Sequence, residues 1–253
     1  MNMYKYNDLN EKTVLVTGAS GDIGLGICEK YLEQNCNVYA LYKSNDVQLN
    51  ALKANHPVGD KLHIVQCDLA CSQSVTALCE QIEREAGKID VLVNNAGVVK
   101  DSLFASMSYE DFTQVIETNM FSIFRLTKDA LMLLRAADKP AIINVASIAA
   151  LIPSVGQANY SASKGAILGF TRTLAAEMAP WGVRVNAVAP GMIESKMVKK
   201  VSRAVVRAVT STIPLRRLGT CEEVANTIVF LSSSASSYIV GQTIVIDGGL
   251  VMR

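Results

Sequence analysis

The stretch TVLVTGASGDIGLGI, residues 13–27, decides the fold. Thr13 to Thr17 are β-branched or aliphatic and read as a short buried strand. A glycine-rich turn follows, and then a helix. Glycines at such a place let the turn tighten and let backbone N–H groups approach a phosphate at the helix N-terminus. One residue is out of keeping. Asp22, a carboxylate, stands in the middle of the turn.

Working outward, six further short apolar runs have strand character: NVYALY (37–42), LHIVQ (62–66), IDVLVN (89–94), AIINVA (141–146), VRVNAV (183–188) and QTIVID (242–247). Several are apolar throughout, as strands buried on both faces are. The segments between them have helical spacing. In SVTALCEQIERE, Val75, Leu78, Cys79 and Ile82 form one stripe. Strand–helix alternation with right-handed crossovers predicts an α/β, Rossmann-type doubly wound parallel sheet of about seven strands, with helices on both faces. No linker divides residues 1–253, so one domain is expected.

Composition narrows the function. Lys plus Arg is 24 and Asp plus Glu is 23, giving a net charge of +1. No long basic run is present, which argues against nucleic-acid or membrane-surface binding through bulk charge. The N-terminus is polar and no run reaches the roughly 20 apolar residues of a membrane span, so a cytoplasmic protein is expected. The six cysteines are scattered without metal-ligand spacing and read as reduced thiols, with no metal site. His56 and His63 are the only histidines, which leaves a Ser-His-Asp hydrolase poorly supported.

In a doubly wound sheet, ligands bind beyond the carboxyl ends of the strands. Asp68 follows the third strand, where it is placed to bond an adenine amino group or to cap a helix. Asn94–Gly97 follows the fourth, as a site or as a turn. After the second strand come Lys43 and Ser44, with no acid there to bond a ribose 2′-hydroxyl. The pair suits a 2′-phosphate and points to NADP(H), with NAD(H) less favoured. Tyr160 and Lys164 are one helical turn apart on a shared face. An ammonium beside a phenol favours the phenolate, so Lys164 is expected to lower the Tyr160 pKa. Ser147 ends the fifth strand, thirteen residues before Tyr160. Asn119 is a polar residue inside a long apolar helix and needs partners.

Taken together, TGASGDIG, NNAG, NVAS, YSASK and APGMI have the order and spacing of the short-chain dehydrogenase/reductase family, which the chain resembles from about Thr13 to Gly249. PLRRLGTCEEVANTIVFLSS and GQTIVIDGG look most like the 3-oxoacyl-[acyl-carrier-protein] reductases within it. The resemblance implies a catalytic tetrad of Asn119, Ser147, Tyr160 and Lys164, with a local distortion of the helix at Asn119. It implies cofactor contacts from Gly18, Ser20, Gly21, Asp22, Ile23 and Gly24, from Lys43 and Ser44, and from Asp68 and Leu69. Further contacts come from Asn95, Ala96 and Gly97, from Tyr160 and Lys164, and from Pro190, Gly191, Ile193 and Ser195.

The family pattern TGxxxGxG has glycine where Asp22 stands, and many relatives carry a basic residue at the position of Gly21. Asp tolerates left-handed backbone angles, so the bend is expected to survive, with the carboxylate turned away or capping the helix. Residues 192–213 read as a lid over the substrate. That lid and IAALIPSVGQAN suit a hydrophobic ketone or an acyl thioester on acyl carrier protein. In the resembling reductases, basic residues that receive the carrier occur where this chain has Asp138 and Trp181. Lys139, Arg135, Lys128 and Arg125 lie near the first of these. A homotetramer is implied, and the helices expected at 109–137 and 158–180 are apolar on more than one face.

Overall fold

The computed structural model describes residues 5–195 and 203–252. Among them, seven strands form one parallel sheet: β1 (Thr13–Val16), β2 (Asn37–Tyr42), β3 (Leu62–Gln66), β4 (Val91–Asn94), β5 (Ala141–Val145), β6 (Arg184–Pro190) and β7 (Thr243–Ile246). Their order is β3-β2-β1-β4-β5-β6-β7. The chain reverses direction across the sheet between β1 and β4, which makes a crevice at their carboxyl ends. Strands β1, β4, β5 and β6 are buried throughout, in keeping with sequences that are mostly apolar on both faces.

One core lies under α1 (Asp22–Glu33) and α9 (Cys221–Ser232) and includes Val14, Val16, Ile27, Leu32, Val93, Val224 and Ile228. Between these come α2 (Val47–Asn55), α3 (Ser72–Ala86), α4 (Tyr109–Ile116), α5 (Ser122–Asp129), α6 (Leu131–Arg135), α7 (Ala158–Met178) and α8 (Arg203–Thr212). The opposite core joins Leu15, Leu41 and Leu92 to Val75, Leu78 and Ile82 of the α3 stripe. Helix α9 begins with a capping box in which Thr220 and Glu223 satisfy each other's backbone N–H groups.

The helix expected over 109–137 is divided. Between α4 and α5, residues Glu117–Phe121 form a π turn. Asn119 lies inside it and is fully buried. Its amide is matched to Val98, accepting from the Val98 N–H at 2.8 Å and donating to the Val98 carbonyl at 3.0 Å. One wide turn aims the side chain across the helix at the loop after β4, which α-helical spacing does not do.

Of the expected lid, residues 196–202 lie outside the described part of the chain. Its base is anchored rather than loose. Ile193 is buried and bridges to Gly219 in parallel, and Glu194 N–H donates to the Gly219 carbonyl at 2.8 Å. No helix among the described residues is long and apolar enough to cross a membrane.

Candidate active site

The first turn is built around two glycines. Gly18 has φ of 61°, and a Cβ there would lie 2.8 Å from the Ala96 Cα. A Cβ on Gly24 would lie 2.2 Å from the Gly18 carbonyl oxygen. Asn95 locks this turn from the neighbouring strand. Its Nδ2 donates to the carbonyls of Thr17 (2.9 Å) and Gly18 (3.1 Å). Thr17 Oγ1 in turn accepts from the Asn95 and Ala96 N–H groups, both at 2.9 Å. The NNAG segment thus holds the glycine turn in shape, and the side chain of Asn95 is spent on that task.

Asp22 resolves differently from the sequence expectation. The N-cap of α1 is Gly21, in an extended conformation, and Asp22 is the first helical residue. No left-handed angle is asked of it, since only Gly18 in the turn has positive φ. A carboxylate in the first turn of a helix is favoured by the macrodipole. Its charge is also felt by Cys221 at the start of α9, whose thiol pKa it helps to raise after burial. Asp22→Gly should therefore leave the fold intact, with a stability loss of under about 1 kcal/mol. Removing a charge beside an incoming diphosphate should tighten cofactor binding. Weaker binding in a fluorescence titration would reject this reading.

At the tip of β2, Lys43 pairs with Asp68 at 2.9 Å, with 70% of the lysine side chain exposed. This pair holds the Asp68 carboxyl below its usual range, helped by the Ala70 N–H. Asp68 does not cap α3, whose N-cap is Cys71. Leu69 is fixed through its carbonyl, which accepts from Arg125. Gly191 leaves no room for a side chain, because a Cβ would lie 2.7 Å from the Asp247 Cβ. Pro190 ends β6, and Ile193 turns its side chain into the core. Ser20, Ser44 and Ser195 stand on the carboxyl-end loops of β1, β2 and β6, and Ile23 in the first turn of α1.

The remaining candidates converge beside this turn. Tyr160, in the first turn of α7, lies near enough to the Ser147 hydroxyl for that hydroxyl to favour its phenolate. Ser147 Oγ also accepts from the Ala149 N–H at 3.2 Å, so the serine shapes its own turn. Lys164 Nζ lies 5.6 Å from the centroid of the Tyr160 ring and donates to the Val145 carbonyl at 2.8 Å. Gly97 faces both Asn119 and Lys164, and a Cβ there would be 3.3 Å from Asn119 Oδ1 and 3.4 Å from Lys164 Nζ. Asn119 Nδ2 also donates to Ser163 Oγ at 3.0 Å, and Ser163 to the Tyr160 carbonyl at 2.7 Å. All four tetrad candidates are therefore gathered at the carboxyl ends of β4 and β5.

Protonation runs against the sequence expectation for the phenol. Burial raises the Tyr160 pKa, and the nearby Ser147 hydroxyl offsets only part of that. Burial also brings Lys164 down to about 8. Both shifts follow from the cost of charge in a dry site. The lysine has a consequence for stability. Its folded pKa is below the unfolded value of about 10.4, so its burial penalty is full below pH about 8 and fades as pH rises toward 10.4. Lys164→Met should accordingly raise stability at pH 7 by about 1–3 kcal/mol, after loss of the Val145 bond. The advantage should shrink by pH 10. Equal urea midpoints for the two proteins at pH 7 would refute it.

The whole chain is similar to known proteins. The family model described as "Enoyl-(Acyl carrier protein) reductase" matches residues 18–251. A 3-oxoacyl-[acyl-carrier-protein] reductase FabG of Rickettsia bellii is 40% identical over 245 residues, 97% of this chain and 99% of the relative. Nodulation protein G of Azospirillum brasilense is 36% identical over 96% of this chain and 99% of its own. A crystal structure from Brucella melitensis, described as a short-chain dehydrogenase/reductase of the glucose/ribitol dehydrogenase kind, superposes with a TM-score of 0.93. It is 32% identical and covers 99% of this chain and all of the other. The chain belongs to the short-chain dehydrogenase/reductase family.

A family of nicotinamide-dependent oxidoreductases accounts for the glycine cradle at the carboxyl edge. Among the described residues no cluster of His, Cys, Asp or Glu could hold a metal, and all six cysteines are free. A second hollow, of about 600 Å3, opens at the opposite edge of the sheet. Three of its charged groups are engaged within the fold. Lys12 binds Asp90 at 2.9 Å, and Arg184 donates to the carbonyls of Leu231, Ser233 and Ser236.

Proposed function

We propose that the protein is an NADP(H)-dependent carbonyl reductase acting on the 3-oxo group of an acyl thioester carried on acyl carrier protein. Residues 1–253 serve as one dinucleotide-binding and catalytic domain. The observation that carries the reading is the gathering of Tyr160, the buried Lys164 and Asn119 around Gly97, next to a turn in which Gly18 and Gly24 leave no room for side chains. Gly18 and Gly24 open space for a diphosphate, with Ser20, Gly21 and Ile23 supplying backbone N–H groups. Lys43 offers a cation for the 2′-phosphate once it leaves Asp68, and Ser44 a hydroxyl. Ala96 and Gly97 bring backbone close to the ribose side, and Pro190, Gly191, Ile193 and Ser195 to the nicotinamide.

Bound nicotinamide supplies the hydride. Ser147 holds the carbonyl oxygen of the substrate and steadies its developing charge. Tyr160 gives that oxygen its proton as the carbon is reduced. Lys164, protonated at neutral pH, favours the phenolate that remains. Asn119, held in the π turn, anchors the relay that returns a proton.

A second reading, reduction of a small free hydrophobic ketone or oxidation of the alcohol, is favoured by Asp138 and Trp181 at the carrier-facing positions. Against it, Arg135 stacks 4.3 Å above the Trp181 ring and Lys128 lies 5.7 Å from Phe124, restoring cations to that face. A non-catalytic dinucleotide-binding regulator is a third. We assign a cytoplasmic homotetramer with no nucleic-acid or membrane partner. Tyr109, Phe121, Phe124 and Met132 support the assembly, each half or more exposed in a single chain. The test is initial rates with NADPH and NADH on bare and carrier-bound 3-oxoacyl thioesters. Faster turnover with NADPH and the carrier-bound thioester supports the reading, and no turnover with any ketone sinks it.

A further inference from the structure

The loop after β4 is sewn to the start of α7. Val98 is held by Asn119 through two bonds. The Lys100 carbonyl accepts from Asn159 Nδ2 at 2.9 Å. Asp101 Oδ1 accepts from Gln157 Nε2 at 3.0 Å, and Ser102 N–H donates to the Gly156 carbonyl at 2.9 Å. The Gln157 amide is oriented by a second partner, since its Oε1 accepts from Ser154 Oγ at 2.7 Å. Gln157 is the N-cap residue of α7, three positions before Tyr160. This clasp places one uncompensated charge beside the first turn of α7, which carries Tyr160. Lys100 is occupied by Asp111 at 2.6 Å, and among the described residues no cation pairs with Asp101. The Asp101 side chain is exposed, yet near enough for its field to reach the Tyr160 phenol.

We propose that Asp101 is a charge-selectivity residue. Its carboxylate, held at the mouth by Gln157, disfavours ketones that carry a free carboxylate near the reacting carbonyl and admits uncharged esters and thioesters. The proposal rests on the carbonyl-reductase reading above and deepens it. The physical basis is repulsion between like charges at the edge of a partly dry site, which salt weakens. Specificity through an element that repels the wrong substrate is as effective as added attraction to the right one.

Two substitutions separate charge from structure. Asp101→Asn keeps an oxygen to accept from Gln157 and removes the charge. Gln157→Ala breaks the clasp and keeps the charge. The substrates are ethyl 3-oxobutanoate and the 3-oxobutanoate anion, which present the same ketone with and without a negative charge. For Asp101→Asn, kcat/KM for the anion should rise about threefold to tenfold and that for the ester should move less than about twofold. The preference of the unsubstituted protein for the ester should narrow as salt is raised. Gln157→Ala should lower both substrates by a similar factor. An unchanged anion-to-ester ratio in Asp101→Asn, or an equal change for both substrates, overturns the proposal. Turnover of the carrier-bound 3-oxoacyl thioester with neither ketone reduced would overturn this inference alone, whereas no turnover of any of the three would reject the reductase reading and this inference with it.

Discussion

Replacing Tyr160 by phenylalanine is expected to lower kcat for carbonyl reduction by about 10²–10⁴-fold, the range supplied by a positioned general acid. One oxygen is removed, and it is the oxygen whose protonation the nearby Ser147 hydroxyl influences. The ring stays where it is, 5.6 Å from Lys164 Nζ. Burial already holds the phenol above its ordinary pKa. In that state it keeps its proton at neutral pH and is ready to donate it. Phenylalanine places no polar atom in the site, so stability should change by less than about 1 kcal/mol. Cofactor affinity should stay within about twofold, because the turn at Gly18 and Gly24 is untouched. Following NADPH absorbance gives the rate, and cofactor fluorescence gives the affinity. If Tyr160→Phe retained about a tenth or more of the activity, some other group would be delivering the proton.

The second large effect is at Gly24. Gly24→Val should abolish cofactor binding and cost about 3 kcal/mol of stability. The new Cβ would meet the Gly18 carbonyl oxygen at 2.2 Å, the Ala19 Cα at 2.8 Å and the Asn95 Nδ2 at 2.9 Å. Two of these atoms are backbone, so no rotamer change relieves the clash. The turn must open, and Asn95 then loses its hold on the Thr17 and Gly18 carbonyls. Gly21→Ala is the natural control. Its nearest contact would be 3.4 Å, again to the Gly18 oxygen, and the turn has room for it. Urea melts and NADPH titrations of the two variants measure both quantities. Tight cofactor binding by Gly24→Val would show that the diphosphate sits elsewhere.

Much of this molecule was legible in the chain because its signals are local. Short aliphatic runs between amphipathic stretches marked the seven strands, since a strand buried on both faces needs no polar alternation. The spacing of Tyr160 and Lys164 put them on one helical face, and α7 runs unbroken through both. Other features were hidden because they depend on pairs far apart. The resemblance implied a distortion at Asn119, and a π turn is found there, but its pairing with Val98, 21 positions away, carried no local signal. The lid residue Ile193 is anchored by Gly219, through a bridge that no periodicity announces. Asn95 was a candidate ligand contact in the sequence and is a clamp on the glycine turn in the fold. The clasp of Asp101 and Gln157 joins residues 56 apart, and neither neighbourhood carries a pattern that would flag it.

The sequence by itself determined the alternation of elements, the place of the glycine turn and the residue types of the candidate tetrad. The first two follow from steric preference and hydrophobic spacing, which act over a few residues at a time, and the tetrad from the resemblance of its motifs to the family. Only the tertiary structure decided the charge states at the site. It raised the Tyr160 phenol where the neighbouring lysine alone argued for lowering it, and it brought Lys164 down to about 8. It also took Asp22 out of any left-handed strain by making Gly21 the cap. Desolvation and electrostatic fields act through space, and the groups that exclude water from Tyr160 and Lys164 are drawn from strands and loops distant in the chain.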